Sequence, residues 1–170
     1  MTKQEKAYAE YIENHVVDVK KAYELIGKQL QNTLHVDEFE LVKRVNTHDV
    51  SKWSKEEFDA YRQHFYPEDG EQDDKEAWEN AWEHHYLNND HHPEHYEFFS
   101  SNTLCFKKVV YPMPKEAIAE MILDWVAMSL NFKTSLKDWY KNAHLDLHED
   151  TKKIVDAVMN QKWVVNIHLK

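Results

Sequence analysis

The chain has 170 residues, enough for one domain spanning 1–170 with a core that needs no staples, and carries 31 acidic against 21 basic side chains for a formal charge of -10. Its two glycines, Gly27 and Gly70, exclude a P-loop or dinucleotide-binding turn, and its single cysteine, Cys105, excludes an internal disulfide or a thiolate zinc site. The acidic balance disfavours long nucleic acid, while a small anionic substrate stays compatible if metal ions make a pocket locally positive.

Residues 4–30 repeat Tyr8, Tyr11, Ile12, Val16, Val19, Ala22, Tyr23, Ile26 and Leu30 at three and four, the period of a long amphipathic helix. His15 lies inside that stripe, where an imidazole needs a hydrogen-bond partner or a ligand to hold. A second helix is expected over 37–46, with Asp37 as N-cap and Val36 and Leu41 placed for a hydrophobic staple. His48 and Asp49 follow in HDVSK, at the end of that helix or in the link to the next. Ser54 and Glu57 read as an S-x-x-E capping box that opens a third helix, with Phe58, Tyr61 and Phe65 on one face. Residues 66–74, with Pro67 and Gly70, read as a polar surface loop.

Residues 75–89 are helical by pattern, with Ala77, Trp78, Ala81, Trp82, His85 and Asn89 on one face and His84 at its margin. Residues 90–93 interrupt the pattern, and Pro93 suits the first turn of a new helix. Residues 100–114 read as irregular, with a short strand over 105–111 as the alternative. Pro114 opens a helix whose stripe is Ala117, Met121, Asp124, Trp125 and Met128, and a carboxylate in such a stripe calls for a cation. Helices over 135–142 and 150–161 follow. The β-rich tail 163–169 is left between strand and helix end. The fold class is all-α, a bundle of roughly six to eight helices.

Five of the twelve histidines (His84, His85, His91, His92 and His95) crowd into AWEHHYLNNDHHPEHY. Together with His15, His48–Asp49 and Asp124 they make an ordered series of imidazoles and carboxylates from different helices. Such a set holds a divalent transition ion (Mn, Fe, Co, Ni or Zn, with Mg as the hard alternative), one or two per chain. His35, His64, His95, His144, His148 and His168 read as surface or outer residues. Asn89 and Glu94 read as groups that orient ligating imidazoles or cap a turn.

The series resembles the HD superfamily of metal-dependent phosphohydrolases, and HDVSK matches its His-Asp-x-x-Lys variant. HDVSKWSKEEFDAYRQHFYP, AWEHHYLNNDHHPEHY and MPKEAIAEMILDWVAMS are together similar to an uncharacterised family from bacteria and phages, a domain of unknown function. The superfamily resemblance implies an HD-like helical fold. It also implies His15, His48, Asp49 and Asp124 as ligands of a first metal. Asp49 would bridge to a second, held by His85 (preferred to His84 because it shares the Trp78–Trp82 face) and by His91 or His92. Lys52 would meet a phosphoryl oxygen, and whichever of His91 and His92 is not a ligand would protonate the leaving group.

The leading expectation is therefore a metal-dependent phosphohydrolase acting through a metal-activated hydroxide on a small phosphorylated substrate, a nucleotide by preference. A di-iron oxygenase like myo-inositol oxygenase and a non-hydrolytic nucleotide binder are the alternatives. Without a signal-like start or a membrane-length apolar run, a cytoplasmic protein of a bacterial cell or phage is expected, with no membrane partner and homo-oligomerisation left open.

Overall fold

The computed structural model describes residues 1–102, 105–165 and 167. The first helix, α1 (Lys3–Leu34), opens on a capping box between Thr2 and Glu5 and ends at His35 in the left-handed conformation. Its apolar stripe is buried as the period requires, from Tyr8 and Ile12 through Val19, Ala22 and Ile26 to Leu30. Along it packs α5 (Lys115–Phe132), which is buried on nearly every face from Ala117 to Leu123 and forms the centre of the bundle. Between them in sequence come α2 (Glu38–Thr47), α3 (Lys55–Phe65) and α4 (Lys75–Asn88). After α5 come α6 (Leu136–Asn142), α7 (Glu149–Met159) and the short α8 (Lys162–Val165). These eight helices, among the described residues, make the all-α class the period implied. None of them is long and apolar enough to cross a membrane.

Two apolar clusters meet along α1. The larger gathers Val19, Ile26, Leu30, Leu41, Ile118 and Ile122 with their neighbours. The smaller holds Tyr8, Ile12, Tyr61 and Ala81, built where α3 and α4 pack on each other. His15 sits on α1 between Ile12 and Val19, at the seam of the two clusters, and so do the elements that bring the other imidazoles in.

Local signals succeeded where they were local. Asp37 caps α2, accepting from the Glu40 amide at 3.0 Å, with Val36 and Leu41 both buried. Ser135 caps α6 in the same way. Several expectations need correction. Ser54 does precede α3, but its hydroxyl makes no cap bond, and Glu57, the other half of the expected box, turns its carboxylate inward to His84 and His85. β1 (Glu97–Asn102) pairs antiparallel with β2 (Cys105–Val110), where irregular chain was the first reading over 100–114 and a strand over 105–111 the alternative. Strand pairing depends on contacts between segments, which a one-dimensional pattern does not carry. The last long helix starts at Glu149, capped by His148, and ends at Met159, two residues short of 161. The tail is helical over Lys162–Val165; residues 166 and 168–169, and with them His168, lie outside the described residues.

Candidate metal centre

Adjacent residues of a regular helix point about 100° apart, so His48 and Asp49 can both face inward only where the helix breaks. The break is present. α2 ends at Thr47, His48 takes φ -54, ψ 128, and Asp49 turns left-handed at φ 55, ψ 22. Aspartate tolerates that region at a cost of about 1–3 kcal/mol, a strain of the kind stored at functional sites. Both side chains end up almost fully buried.

Around them the separate helices converge. His15 Nε2 lies 3.1 Å from Asp124 Oδ1, 3.2 Å from His48 Nε2 and 3.5 Å from Asp49 Oδ2. His48 Nε2 is 3.5 Å from Asp49 Oδ2 and 3.8 Å from Asp124 Oδ1. The other oxygen, Asp49 Oδ1, faces His85 Nε2 at 3.4 Å and His91 Nε2 at 3.5 Å, and His85 Nε2 is 2.9 Å from His92 Nε2. Asp49 thus turns one oxygen to each of two groups of imidazoles. Bonds of roughly 2.0–2.2 Å to a divalent ion place neighbouring ligand atoms roughly 3.0–3.5 Å apart, which is the spacing seen here. Three overlapping sets have ligand atoms within 4.8 Å of one another: His15, His48 and Asp124; His48, Asp49 and His91; Asp49, His85 and His92. These buried groups could hold a metal ion.

The groups do not satisfy one another. Among the described residues Asp49 Oδ1, His91 Nε2 and Asp124 Oδ1 are buried and make no hydrogen bond. A buried carboxylate oxygen left this way is costly, and a cation bound beside it would relieve it.

A second layer sets the tautomers. His48 Nδ1 donates to Glu120 Oε1 at 2.8 Å, with His91 Nδ1 3.3 Å from the same oxygen, and His85 Nδ1 donates to Glu57 Oε2 at 2.8 Å. Each carboxylate demands the proton on Nδ1 and leaves the Nε2 lone pair facing the centre, the usual arrangement for a ligating imidazole. Glu120 is held in turn by Arg44, whose Nε lies 2.7 Å from Oε2 and whose Nη2 pairs with Asp90. Sequence reasoning missed Glu57, Glu120 and Arg44 as parts of the site. Glu120 stands one turn before Asp124 on the same face of α5, which was the available signal.

The expected residues sort as follows. His15, His48, Asp49, His85, His91, His92 and Asp124 all converge. His84 does not join them: it is one-third exposed, with Nδ1 on Glu57 Oε1 at 2.7 Å, whereas His85 lies in one of the converging groups. Lys52 reaches Asp49 Oδ2 at 2.7 Å. Asn89 caps α4 and bonds Ser51 Oγ at 2.6 Å and the His85 carbonyl at 2.7 Å. Glu94, read as orienting an imidazole or capping a turn, leaves its buried Oε2 without a hydrogen bond among the described residues. His95 is tied to the Tyr86 carbonyl, and His64 to Asp73.

A cavity of about 200 Å³ opens onto the centre, and His15, Asp49, Lys52, His85, His92 and Asp124 border it. Of the two expected proton donors, His92 borders it and His91 does not. With Nδ1 toward Glu120 and Nε2 toward Asp49, His91 faces into the centre. Among the other lining residues, burial holds the Tyr8 and Tyr61 phenols well above their usual range, reinforced by the charges of Glu57 and Asp49.

Burial opposes charge on His15, yet its contacts to Asp124 and Asp49 win and raise its pKa to about 9. Asp124 and Glu120 are held well below the usual carboxylate range: burial opposes this, but the imidazoles beside them outweigh it. Without bound metal, the His15 contribution to stability is complete below an unfolded value near 6.5 and is lost as pH rises through about 9. Metal must displace that proton. Binding at pH 7 should release about one proton per chain or more, and metal affinity should fall as pH is lowered. Calorimetry in buffers of different ionisation enthalpy checks this; a heat of binding independent of the buffer would contradict it.

The fold and site define a class: an all-α protein with a buried imidazole–carboxylate centre that could hold a metal ion. Residues 4–161 match the model of a family of unknown function (DUF5662), and the chain belongs to that family. No curated protein and no solved structure matches it.

Proposed function

We propose that this chain is an HD-like, metal-dependent phosphohydrolase acting on a small phosphorylated substrate, with nucleotides the favoured class. The observation that carries this reading is the place of Asp49 between two groups of imidazoles, one carboxylate oxygen toward each. His15, His48, Asp49 and Asp124 would hold one ion; Asp49, His85 and His91 or His92 would hold a second. Bound there, divalent ions would lower the pKa of a water and offset charge on phosphoryl oxygens.

The chain's own groups do the rest. Burial opposes charge on Lys52, but Asp49 overrides it and raises its pKa, so the ammonium persists at neutral pH. On the cavity wall it offsets charge developing on the phosphoryl group. His91 faces inward and suits a ligand. His92 borders the cavity, but burial, and then the charges of His91 and His85, press its pKa well below the imidazole range. It is a poor acid there, so leaving-group protonation falls to solvent. In this reading the protein is a cytoplasmic enzyme with no membrane or long nucleic-acid partner.

The test is phosphate release from a panel of nucleotides and phosphoesters with Mn, Co, Ni or Mg. Release that chelators abolish is expected. No release with any metal would overturn the proposal. Two irons per chain with oxygen uptake would put the oxygenase reading in its place.

A further inference from the structure

The same cavity is lined by Tyr8, Tyr11, Tyr61 and Trp82, whose rings stand beside the metal-ligand imidazoles, Tyr11 next to His15 and Tyr61 and Trp82 next to His85. Tyr8 is 1% and Tyr61 6% exposed, and neither hydroxyl has a hydrogen-bond partner among the described residues. An unpaired buried donor costs roughly 1–3 kcal/mol, so packing alone would favour phenylalanine at both positions. The small cluster around Ile12 and Ala81 needs the rings and has no use for the oxygens. Those rings lie nearly parallel, at 14° with centroids 6.4 Å apart, and both belong to the wall of one cavity. Lys52 Nζ, the cation on the same cavity, lies 6.0 Å from the centre of the Tyr11 ring. The cavity lining therefore offers two O–H donors without partners, beside one ammonium that pairs with Asp49.

Donors without acceptors of their own fit a ligand made of acceptors. We propose that Tyr8 and Tyr61 are substrate-binding residues whose hydroxyls, with Lys52, hold the oxygens of a tetrahedral oxyanion against the centre. That the oxyanion is a phosphoryl group rests on the phosphohydrolase reading; the donor set itself does not. Each phenol keeps its proton and donates one hydrogen bond to a charged oxygen, the stronger kind of such bond.

The experiment uses the Mn-loaded full chain, its Tyr8→Phe and Tyr61→Phe variants, and orthophosphate as probe. Metal content, phosphate affinity by calorimetry, and Tm without phosphate are measured for each. The expected result is unchanged manganese, phosphate affinity lower by about tenfold or more per hydroxyl, and a Tm that holds or rises. Three results would overturn the proposal: wild-type protein that binds no phosphate, variants that bind it equally well, or a Tm that drops by several degrees. The last would mean the hydroxyls support the fold. Phosphate binding that depends on both hydroxyls, in a protein that hydrolyses no phosphoester, would keep this proposal and remove the phosphohydrolase reading. Hydrolysis with a KM unaltered in both variants would do the reverse.

Discussion

Asp49→Asn is expected to leave the centre unable to hold divalent metal and, on the proposed phosphohydrolase reading, to lower phosphate release by about 10³-fold or more. Asparagine accepts the left-handed backbone at φ 55, so the turn should survive. The loss is electronic. An amide supplies one oxygen where both carboxylate oxygens are used, and its NH₂ must face an imidazole group or Lys52. The same change strands Lys52, which pairs with Asp49 Oδ2 at 2.7 Å and is only slightly exposed. Removing one partner of a buried pair costs about 3 kcal/mol, on the order of 6–12 °C in Tm for a chain of this size. Adding Lys52→Met to Asp49→Asn should recover much of that Tm without restoring metal. Elemental analysis and thermal melts read both effects. Full metal content in Asp49→Asn would sink the assignment of this residue.

Glu120→Gln should weaken metal binding about 10–100-fold while leaving the number of ions at saturation unchanged. Glu120 accepts from His48 on one oxygen and ion-pairs with Arg44 through the other. A glutamine must turn its NH₂ toward one of these donors, and either orientation opposes two donors. His48 is then free to change tautomer, which takes its Nε2 lone pair from the centre. The carboxylate's lowered pKa means that its contribution to stability is present at neutral pH and lost on acidification, so the variant's melting should depend less on acid than the wild type's. Glu57→Gln should act in the same sense through His85. Competition with a chromophoric chelator measures the affinities. Equal affinities for wild type and Glu120→Gln would show that the outer carboxylate does nothing for the metal.

Much of this protein was legible from its pattern alone. Apolar spacing is a local property of a helix, so α1, α2, α4 and α5 appear in it within a few residues of their observed ends. His15 and Asp124 stood out for the same reason: a polar group in an apolar stripe is costly unless something compensates it, and the stripe exposes the anomaly. The His48–Asp49 pair was visible as a motif, and the capping of α2 as a cluster of neighbours.

What the pattern concealed depends on distance along the chain. Glu57 matched a capping box three residues from Ser54, yet it bonds His85, 28 residues away. Glu120 bonds His48 across 72 residues. The strand pair needs two segments to find a register, and the inward turn of His91 is set by Glu120 and Asp49 from other elements. The sequence by itself determined the helices and the anomalous polar groups, because burial periodicity is written along one dimension. Only the tertiary structure decided which carboxylate holds which imidazole and which phenols lack partners, because hydrogen bonds and ion pairs are chosen by proximity in space.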